Sequence, residues 1–245
     1  VTTSLDLPQF DLNAFSKLLQ DIFKDRFAGL LHSINDETGD RTLATAGSSQ
    51  LIAGEDKIVE ELLGLNFEIS MKSFFQTNPK SAEKLYSKVI DYALENKDAI
   101  DNTVVMDLFC GTGTIGQILA SRSTNAKIIG VDIVASAIKD AIKNAKRNNI
   151  DGLQFYAADV GKFINEHPEY KNKIRTIILD PSRAGIAPKT LLKIIAINAD
   201  RIIYVSCNPA TQARDTEEMM KYGYQIKKIS LVDQFPHTSH IETVV

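Results

Sequence analysis

Apolar and polar positions divide the chain into two stretches of different character. From residue 103 onward, short apolar runs alternate with longer amphipathic segments. The runs Thr103–Phe109, Lys127–Asp132, Leu153–Ala157, Ile174–Leu179 and Arg201–Ser206 are rich in apolar residues, which predicts buried strands. Helices are expected between them, near 114–121, 134–147, 161–166 and 188–197. A helix near 211–222 and further strands near 224–232 and 240–245 complete the order. This alternation predicts an α/β fold, a parallel sheet with helices on both faces. A helix from Ser81 to about Asn96 precedes it, with Leu85, Val89, Ala93 and Tyr86, Ile90, Leu94 on its core side.

Residues 1–72 read as a small α+β piece that cannot bury much core alone. Residues 1–13 are irregular, and from Ala14 to Leu31 the stripe Phe15, Leu18, Leu19, Ile22, Phe23, Phe27 predicts one amphipathic helix with a core-facing side. Asn35 to Asp40 is a turn signal. Short segments at Arg41–Ala46 and Leu51–Ala53, a helix at Glu55–Leu63 and a strand at Asn66–Ser70 follow. The boundary is expected near residues 71–73, giving domains at 1–72 and 73–245.

Composition narrows the classes. Hydrophobic residues at 44% and charged residues at 24% are ordinary for a soluble globular protein. A net charge of −3 gives no global basic signal, so nucleic-acid binding needs a local patch or a further module. Two cysteines, Cys110 and Cys207, cannot build a disulfide framework or a four-thiolate metal site. No run of 18 apolar residues and no signal-peptide pattern occurs, so a cytoplasmic location without membrane contact is expected. The first residue is Val, as in a piece of a longer protein.

The chemistry gathers at predicted strand ends. Ile202 to Ser206 is a buried strand that Asn208-Pro209 stops, so it delivers the Cys207 thiol to its carboxyl end, where open α/β sheets bind ligands. Asp107-Leu108-Phe109-Cys110-Gly111-Thr112-Gly113-Thr114-Ile115-Gly116 joins a strand to a helix through a Gly-x-Gly-x-x-Gly turn. Asp132 ends the next strand, where a carboxylate can accept ribose hydroxyls. An adenosine-bearing cofactor is expected, a dinucleotide or S-adenosylmethionine on spacing alone; Asp107 and the short loop favour the latter. Asp159 either receives an adenine amino group or caps the next helix. Cys110, inside the turn, reads as a packing residue.

Pro181 holds the chain extended past the fourth strand, so Asp180 faces cofactor and substrate, and Arg183 can pair with a phosphate or with Asp180. Gln76 precedes a helix that Asn78 caps, and its amide offers both a donor and an acceptor to a ligand. Glu242 lies in an apolar β-like run, where a carboxylate is costly unless exposed or functional; a functional one is a candidate general base. His237 and His240 do not make a metal site with Glu242 alone.

Together the motifs resemble the RNA 5-methyluridine (uracil-C5) methyltransferases acting on 23S rRNA or tRNA. The resemblance covers about residues 66–245 and rests on Ser73-Phe74-Phe75-Gln76-Thr77-Asn78, Asp107 to Gly113, Asp180-Pro181-Ser182-Arg183, Ser206-Cys207-Asn208-Pro209 and Phe235 to Glu242. It implies a Rossmann-like S-adenosylmethionine-dependent sheet, with Cys207 as nucleophile and Glu242 as base. It implies cofactor contacts at Gln76, Phe109, Gly111, Thr114, Asp132, Asp159 and Asp180, and substrate contacts at Gln76, Asp180 and Arg183. Thr114 is often Asn or Gln in the family, and Ser182 often Pro. The Phe75-Gln76-Thr77-Asn78 form resembles the rRNA enzymes more than the tRNA enzymes. The partner implied is RNA, the enzyme is expected to be a monomer, and an RNA-binding N-terminal domain is expected outside this chain. No metal or iron–sulfur cluster is expected within it. The alternatives are a nicotinamide-dependent oxidoreductase, which leaves Cys207 and Glu242 unused, an amino-group methyltransferase, and a catalytically idle RNA-binding module.

Overall fold

The structure is a computed structural model that describes residues 1–4, 10–34, 49–70, 74–95, 103–123 and 126–245. The chain forms two compact units, residues 1–59 with 68–72 and residues 60–67 with 73–245. The expected turn at 35–40, the segment at 41–46 and the boundary at 71–73 lie outside the described residues.

In the first unit, strand β1 (Thr2–Thr3) precedes helix α1 (Leu12–Phe23), and β2 (Gly29–Ile34) and β3 (Gln50–Gly54) follow. Asp11 caps α1, its carboxylate accepting the Ala14 N–H at 2.9 Å. The helix is shorter than its apolar period predicts. Lys24 turns into positive φ (47°), and residues 29–34 join a ladder, parallel to β1 and antiparallel to β3. Pairing across the sheet has overridden the helical spacing beyond Phe23. The stripe is not core either, since Leu18 and Ile22 are 54% and 57% exposed.

The helix expected at 55–63 is a strand. Here β4 (Lys57–Leu62) and β5 (Leu65–Ser70) make a hairpin. Leu63 (φ 51°) and Gly64 (φ 85°) form its two-residue turn, and positive φ at both positions matches the twist of paired strands. Ile58 and Val59 are β-branched and favour that outcome.

The second unit carries helix α2 (Pro79–Leu94), then β6 (Val104–Leu108), α3 (Thr114–Arg122), β7 (Lys127–Asp132), α4 (Ala135–Arg147), β8 (Leu153–Ala157) and α5 (Val160–Glu166). After these come β9 (Ile174–Leu179), α6 (Pro188–Ala196), β10 (Arg201–Ser206), α7 (Pro209–Lys221), β11 (Ser230–Val232) and β12 (Glu242–Val244). The strands form one sheet in the order β11-β12-β10-β9-β6-β7-β8. β6 to β10 are parallel, and β12 runs antiparallel to both of its neighbours. The strands expected at 224–232 and 240–245 shrink to β11 and β12.

Successive strand residues serve opposite faces. Val105, Ile128, Ile178 and Ile203 pack with α2 and α3 on one side, while Met106, Ile129, Ile177 and Tyr204 pack with α5, α6 and α7 on the other. That double burial explains the largely apolar runs. The strand order reverses between β6 and β9, so the carboxyl edge opens a crevice there.

Candidate active site

Six strand ends lie side by side along this edge. In sheet order they present Asp159 after β8, Asp132 at the end of β7, the Phe109–Gly113 turn after β6, Asp180 after β9, Cys207 after β10 and Glu242 at the start of β12. Candidate cofactor residues occupy one half, and candidate reaction residues the other.

The β6 turn is built by its backbone. The Phe109 and Cys110 N–H groups both donate to the Val131 carbonyl, at 2.8 and 3.1 Å. Phe109 takes φ 63°, a conformation that costs a bulky residue on the order of 1–3 kcal/mol and clusters at ligand sites. Gly113 also has positive φ, and a Cβ there would lie 2.5 Å from the Phe155 ring; a Cβ on Gly111 would meet nothing within 4 Å. The open face of the turn is thus at Gly111, and Gly113 serves packing. Asp132 accepts the Gly111 N–H at 2.9 Å through Oδ2 and the Val134 N–H at 2.8 Å through Oδ1. Its half-buried carboxylate keeps lone pairs for hydroxyl donors. Thr114 is buried, its hydroxyl 3.1 Å from that of Thr112. Asp159 is exposed and caps α5, accepting the Lys162 N–H at 2.8 Å. Sequence reasoning missed Ile133, 71% exposed directly after Asp132, an apolar surface suited to a flat heteroaromatic ring.

The reaction half is set by register. Val205 pairs with Val244 and Ser206 with Thr243, so Cys207 follows the last pair on one strand and Glu242 precedes it on the other. The Glu242 charge reaches the Cys207 thiol. Several hydrogen bonds hold this edge. The Thr243 hydroxyl donates to Gln212 Oε1 at 2.6 Å and lies 3.1 Å from the Ser206 carbonyl, and Gln212 Nε2 donates to the Tyr204 carbonyl at 2.7 Å. Asn208 caps α7 and donates through Nδ2 to the Arg183 carbonyl at 3.0 Å, tying the Cys207 turn to the Asp180 loop.

A buried carboxylate anchors that loop from below. Asp215 Oδ2 accepts the Tyr204 hydroxyl at 2.8 Å and the Ile186 N–H at 2.9 Å, and Oδ1 accepts from Arg214 at 2.7 and 2.8 Å. The sequence reading overlooked Asp215, Gln212 and Tyr204. Helical spacing assigns the first two to a polar face of α7, and nothing local shows that this face is covered.

Gln76 is 8% exposed, and its amide oxygen accepts from Gln234 Nε2 at 3.2 Å. Burial raises the Tyr86 hydroxyl well above the ordinary range, with the charges of Asp180, Glu242 and Asp107 adding to it. These charges place α2 against the reaction residues. The expected cap is present too, Asn78 Oδ1 accepting the Ser81 N–H at 3.3 Å. Ser73 lies outside the described residues.

The electrostatics differ from expectation in one respect. Burial pushes Asp180 up to about 8, with Glu242 and Asp107 raising it further. Burial takes Asp107 up to about 7, against the hydrogen bond from the Gly116 N–H, and Asp132 adds to the rise. Burial alone raises Glu242, which is 5% exposed. A nucleophilic cysteine needs a lowered thiol, yet burial raises Cys207, and Glu242 and Asp180 reinforce it; its own backbone N–H and Arg183 act the other way. Burial thus disfavours the charged forms of the Cys207 thiol and of the carboxyls around it. Arg183 is exposed, so its role here is a positive charge near the thiol. Burial also raises the Cys110 thiol, consistent with a packing residue.

Asp107 Oδ1 is buried without a hydrogen-bond partner, while Oδ2 accepts the Gly116 N–H at 3.0 Å. An orphaned acceptor beneath an open glycine turn, with a half-buried Asp132 beside it, fits a ligand carrying hydroxyls and a positive charge. Among the described residues no group of three or more His, Cys, Asp or Glu is arranged to hold a metal. No helix among them is long and apolar enough to cross a membrane.

The chain is similar to known proteins in sequence and in fold. An uncharacterised RNA methyltransferase of Clostridium acetobutylicum is 44% identical over 246 residues, 100% of this chain and 51% of that protein. One from Clostridium tetani is 43% identical over 237 residues, 96% of this chain and 50% of that protein. The chain thus spans about half the length of these curated relatives. The crystal structure of Pyrococcus abyssi tRNA (uracil-54, C5)-methyltransferase in complex with S-adenosyl-L-homocysteine matches with TM-score 0.68 and 31% identity, covering 89% of this chain and 50% of that one. An S-adenosylmethionine-dependent methyltransferase from Agrobacterium tumefaciens shares the fold, with TM-score 0.63, 17% identity and coverage of 86% of this chain and 75% of that one. The tRNA (Uracil-5-)-methyltransferase family model matches residues 14–245, and the chain belongs to that family.

Proposed function

We propose that this chain is the catalytic part of an S-adenosylmethionine-dependent enzyme that methylates C5 of a uridine in RNA. The observation that carries the reading is the β10–β12 register, which brings Cys207 and Glu242 to the edge where Asp180 also ends a strand. Cofactor binding falls to Gly111, Asp132, Phe109, Thr114 and Asp180, with Gln76 above them and Asp159 at the far end. Ile133 offers the adenine an apolar face. Bound S-adenosylmethionine supplies an electrophilic methyl group.

C5 of uracil is too weak a nucleophile to be alkylated unaided. The sulfur of Cys207 adds to C6, its proton passing to a carboxylate of the cluster, and the ring becomes an enolate nucleophilic at C5. Once C5 is alkylated, Glu242 takes the C5 proton, the ring electrons expel the Cys207 thiolate, and the double bond re-forms. Glu242 suits this role because its burial raises its affinity for a proton. A positive sulfonium in the site would favour the Cys207 thiolate, and Arg183 acts in the same direction. The uridine leaves its stack to reach the thiol, and Arg183 meets a nearby phosphate or the base.

Residues 1–72 and 73–245 are read as a partial central domain and the methyltransferase domain, acting as a monomer in the cytoplasm. The relatives' greater length supports an RNA-binding portion outside this chain. Ribosomal RNA is the preferred substrate on the Phe75-Gln76-Thr77-Asn78 form. The test is trapping. RNA carrying 5-fluorouridine, whose C5 fluorine cannot leave as a proton does, should yield a covalent complex that requires S-adenosylmethionine and Cys207. No complex with the parent chain, or one that survives Cys207→Ala, refutes the reading, and sequencing the trapped RNA identifies the substrate.

A further inference from the structure

Gln234 is completely buried on the segment leading to Glu242, and no motif accounts for it. Its Nε2 donates to Gln76 Oε1 at 3.2 Å and to the Asn78 carbonyl at 3.3 Å. Its own Oε1 has no partner. Around it the contact is reciprocal: Asn78 Nδ2 donates to the Gln234 carbonyl at 3.1 Å, and the Ser81 hydroxyl donates to the Asp233 carbonyl at 2.8 Å.

The orientations of the two glutamine amides follow from one fixed group. The Asn78 backbone carbonyl can only accept, so the end of the Gln234 amide facing it must be NH2. Flipping Gln234 would set its oxygen against two acceptors and leave its NH2 without one. The present orientation orphans a single carbonyl oxygen, the lesser cost. With Gln234 fixed, the atom of Gln76 that meets it must be the oxygen. The Gln76 carbonyl is turned towards the buried Gln234, and its NH2 is the end of the amide left for a ligand. From sequence, Gln76 offers donor and acceptor alike; in the fold it offers a donor.

We propose that Gln234 is a positioning residue that locks Gln76 as a donor, so that the site accepts a base presenting a carbonyl and rejects one presenting an amine at the same place. Uracil carries a carbonyl at C4, and cytosine an amino group. An NH2 held in one orientation cannot turn to accept from that amine, and a site that leaves a buried polar group unpaired discriminates strongly. This rests on the uracil-methylation reading, and the test separates the two.

The RNA recovered by trapping is remade with 5-fluorouridine or 5-fluorocytidine at the trapped position, and adduct formation is timed in the full chain. The parent should trap the uridine form far faster. Gln234→Met keeps the volume and lacks the donor, so the uridine-to-cytidine rate ratio should fall at least about tenfold. Gln76→Met should lower the ratio similarly, and the double variant should lower it little further, because the two residues act as one unit. A residue that merely supports folding would slow both reactions equally. An unchanged ratio in Gln234→Met, or full additivity in the double variant, overturns the positioning role and leaves uracil methylation standing. Absence of any adduct with the parent overturns both. Should Gln234→Met not fold, Gln234→Asn, one methylene too short to span both acceptors, takes its place, and the ratio is read in the same way.

Discussion

Asp215 is the buried charge on which the geometry of the reaction half depends, and replacing it should separate two kinds of loss. Its residue exposure is 1%, and it accepts the Tyr204 hydroxyl and the Ile186 N–H through one oxygen and Arg214 through the other. Asp215→Ala strands a hydroxyl and an amide N–H away from water, at about 1–3 kcal/mol each. The Arg214 side chain is 54% exposed and stays hydrated, so losing its ion pair adds less than about 1 kcal/mol. The sum is about 2–7 kcal/mol, and its middle falls in the range of about 3–5 kcal/mol for removing one partner from a buried network. Asp215→Asn differs. With its carbonyl in the place of Oδ2 it still accepts from Tyr204 and Ile186, and its NH2 meets an Arg214 free to turn outward; the cost is about 1 kcal/mol. With a urea dependence near 3 kcal/mol per M, Asp215→Ala should lower the unfolding midpoint by about 1 M or more, and Asp215→Asn by about a third of that. Because Ile186 ends the Asp180–Arg183 loop, Asp215→Ala should also slow adduct formation with 5-fluorouridine RNA in the population that remains folded. An Asp215→Ala midpoint within about 0.3 M of the parent would refute the argument. So would an Asp215→Asn as unstable as Asp215→Ala, because the anchoring would then not run through the shared oxygen.

Two further outcomes follow from the same loop and its neighbours. At Gly185, φ is 76° and an added Cβ would lie 2.6 Å from Arg214 Nη2 and 2.8 Å from Asp215 Oδ2; Gly185→Ala should therefore destabilise by at least about 1–2 kcal/mol in thermal unfolding and slow trapping, and a neutral result would show that the loop is not held against α7. Asp180 and Asp107 are raised to about 8 and about 7, so the folded chain binds protons that the unfolded chain has released, and stability present below about pH 4 is lost as pH rises towards 8. Asp180→Asn should flatten that decline, matching the parent near pH 4 and melting higher at pH 8; parallel melting curves across this range would contradict the burial argument.

Residue order alone determined much of this protein. Apolar runs bounded by Asp, Gly and Pro set the five parallel strands within a residue or two, because the central four, covered on both faces, must be largely apolar with a polar exit. The same punctuation put Asp132, Asp180 and Cys207 at the carboxyl edge, since parallel strands all exit on one side. Where pairing between strands outweighed local periodicity, the helix at 14–31 stopped at Phe23 and the one at 55–63 gave way to a hairpin turning at Leu63-Gly64. Only the tertiary structure decided that Glu242 lies beside the end of the Cys207 strand, because an antiparallel register joins residues far apart in the chain. Only it decided that the thiol is raised, because burial and neighbouring carboxyls come from separate elements. The donor face of Gln76 is a further case, since it follows from a backbone carbonyl and a distant glutamine that no local pattern connects.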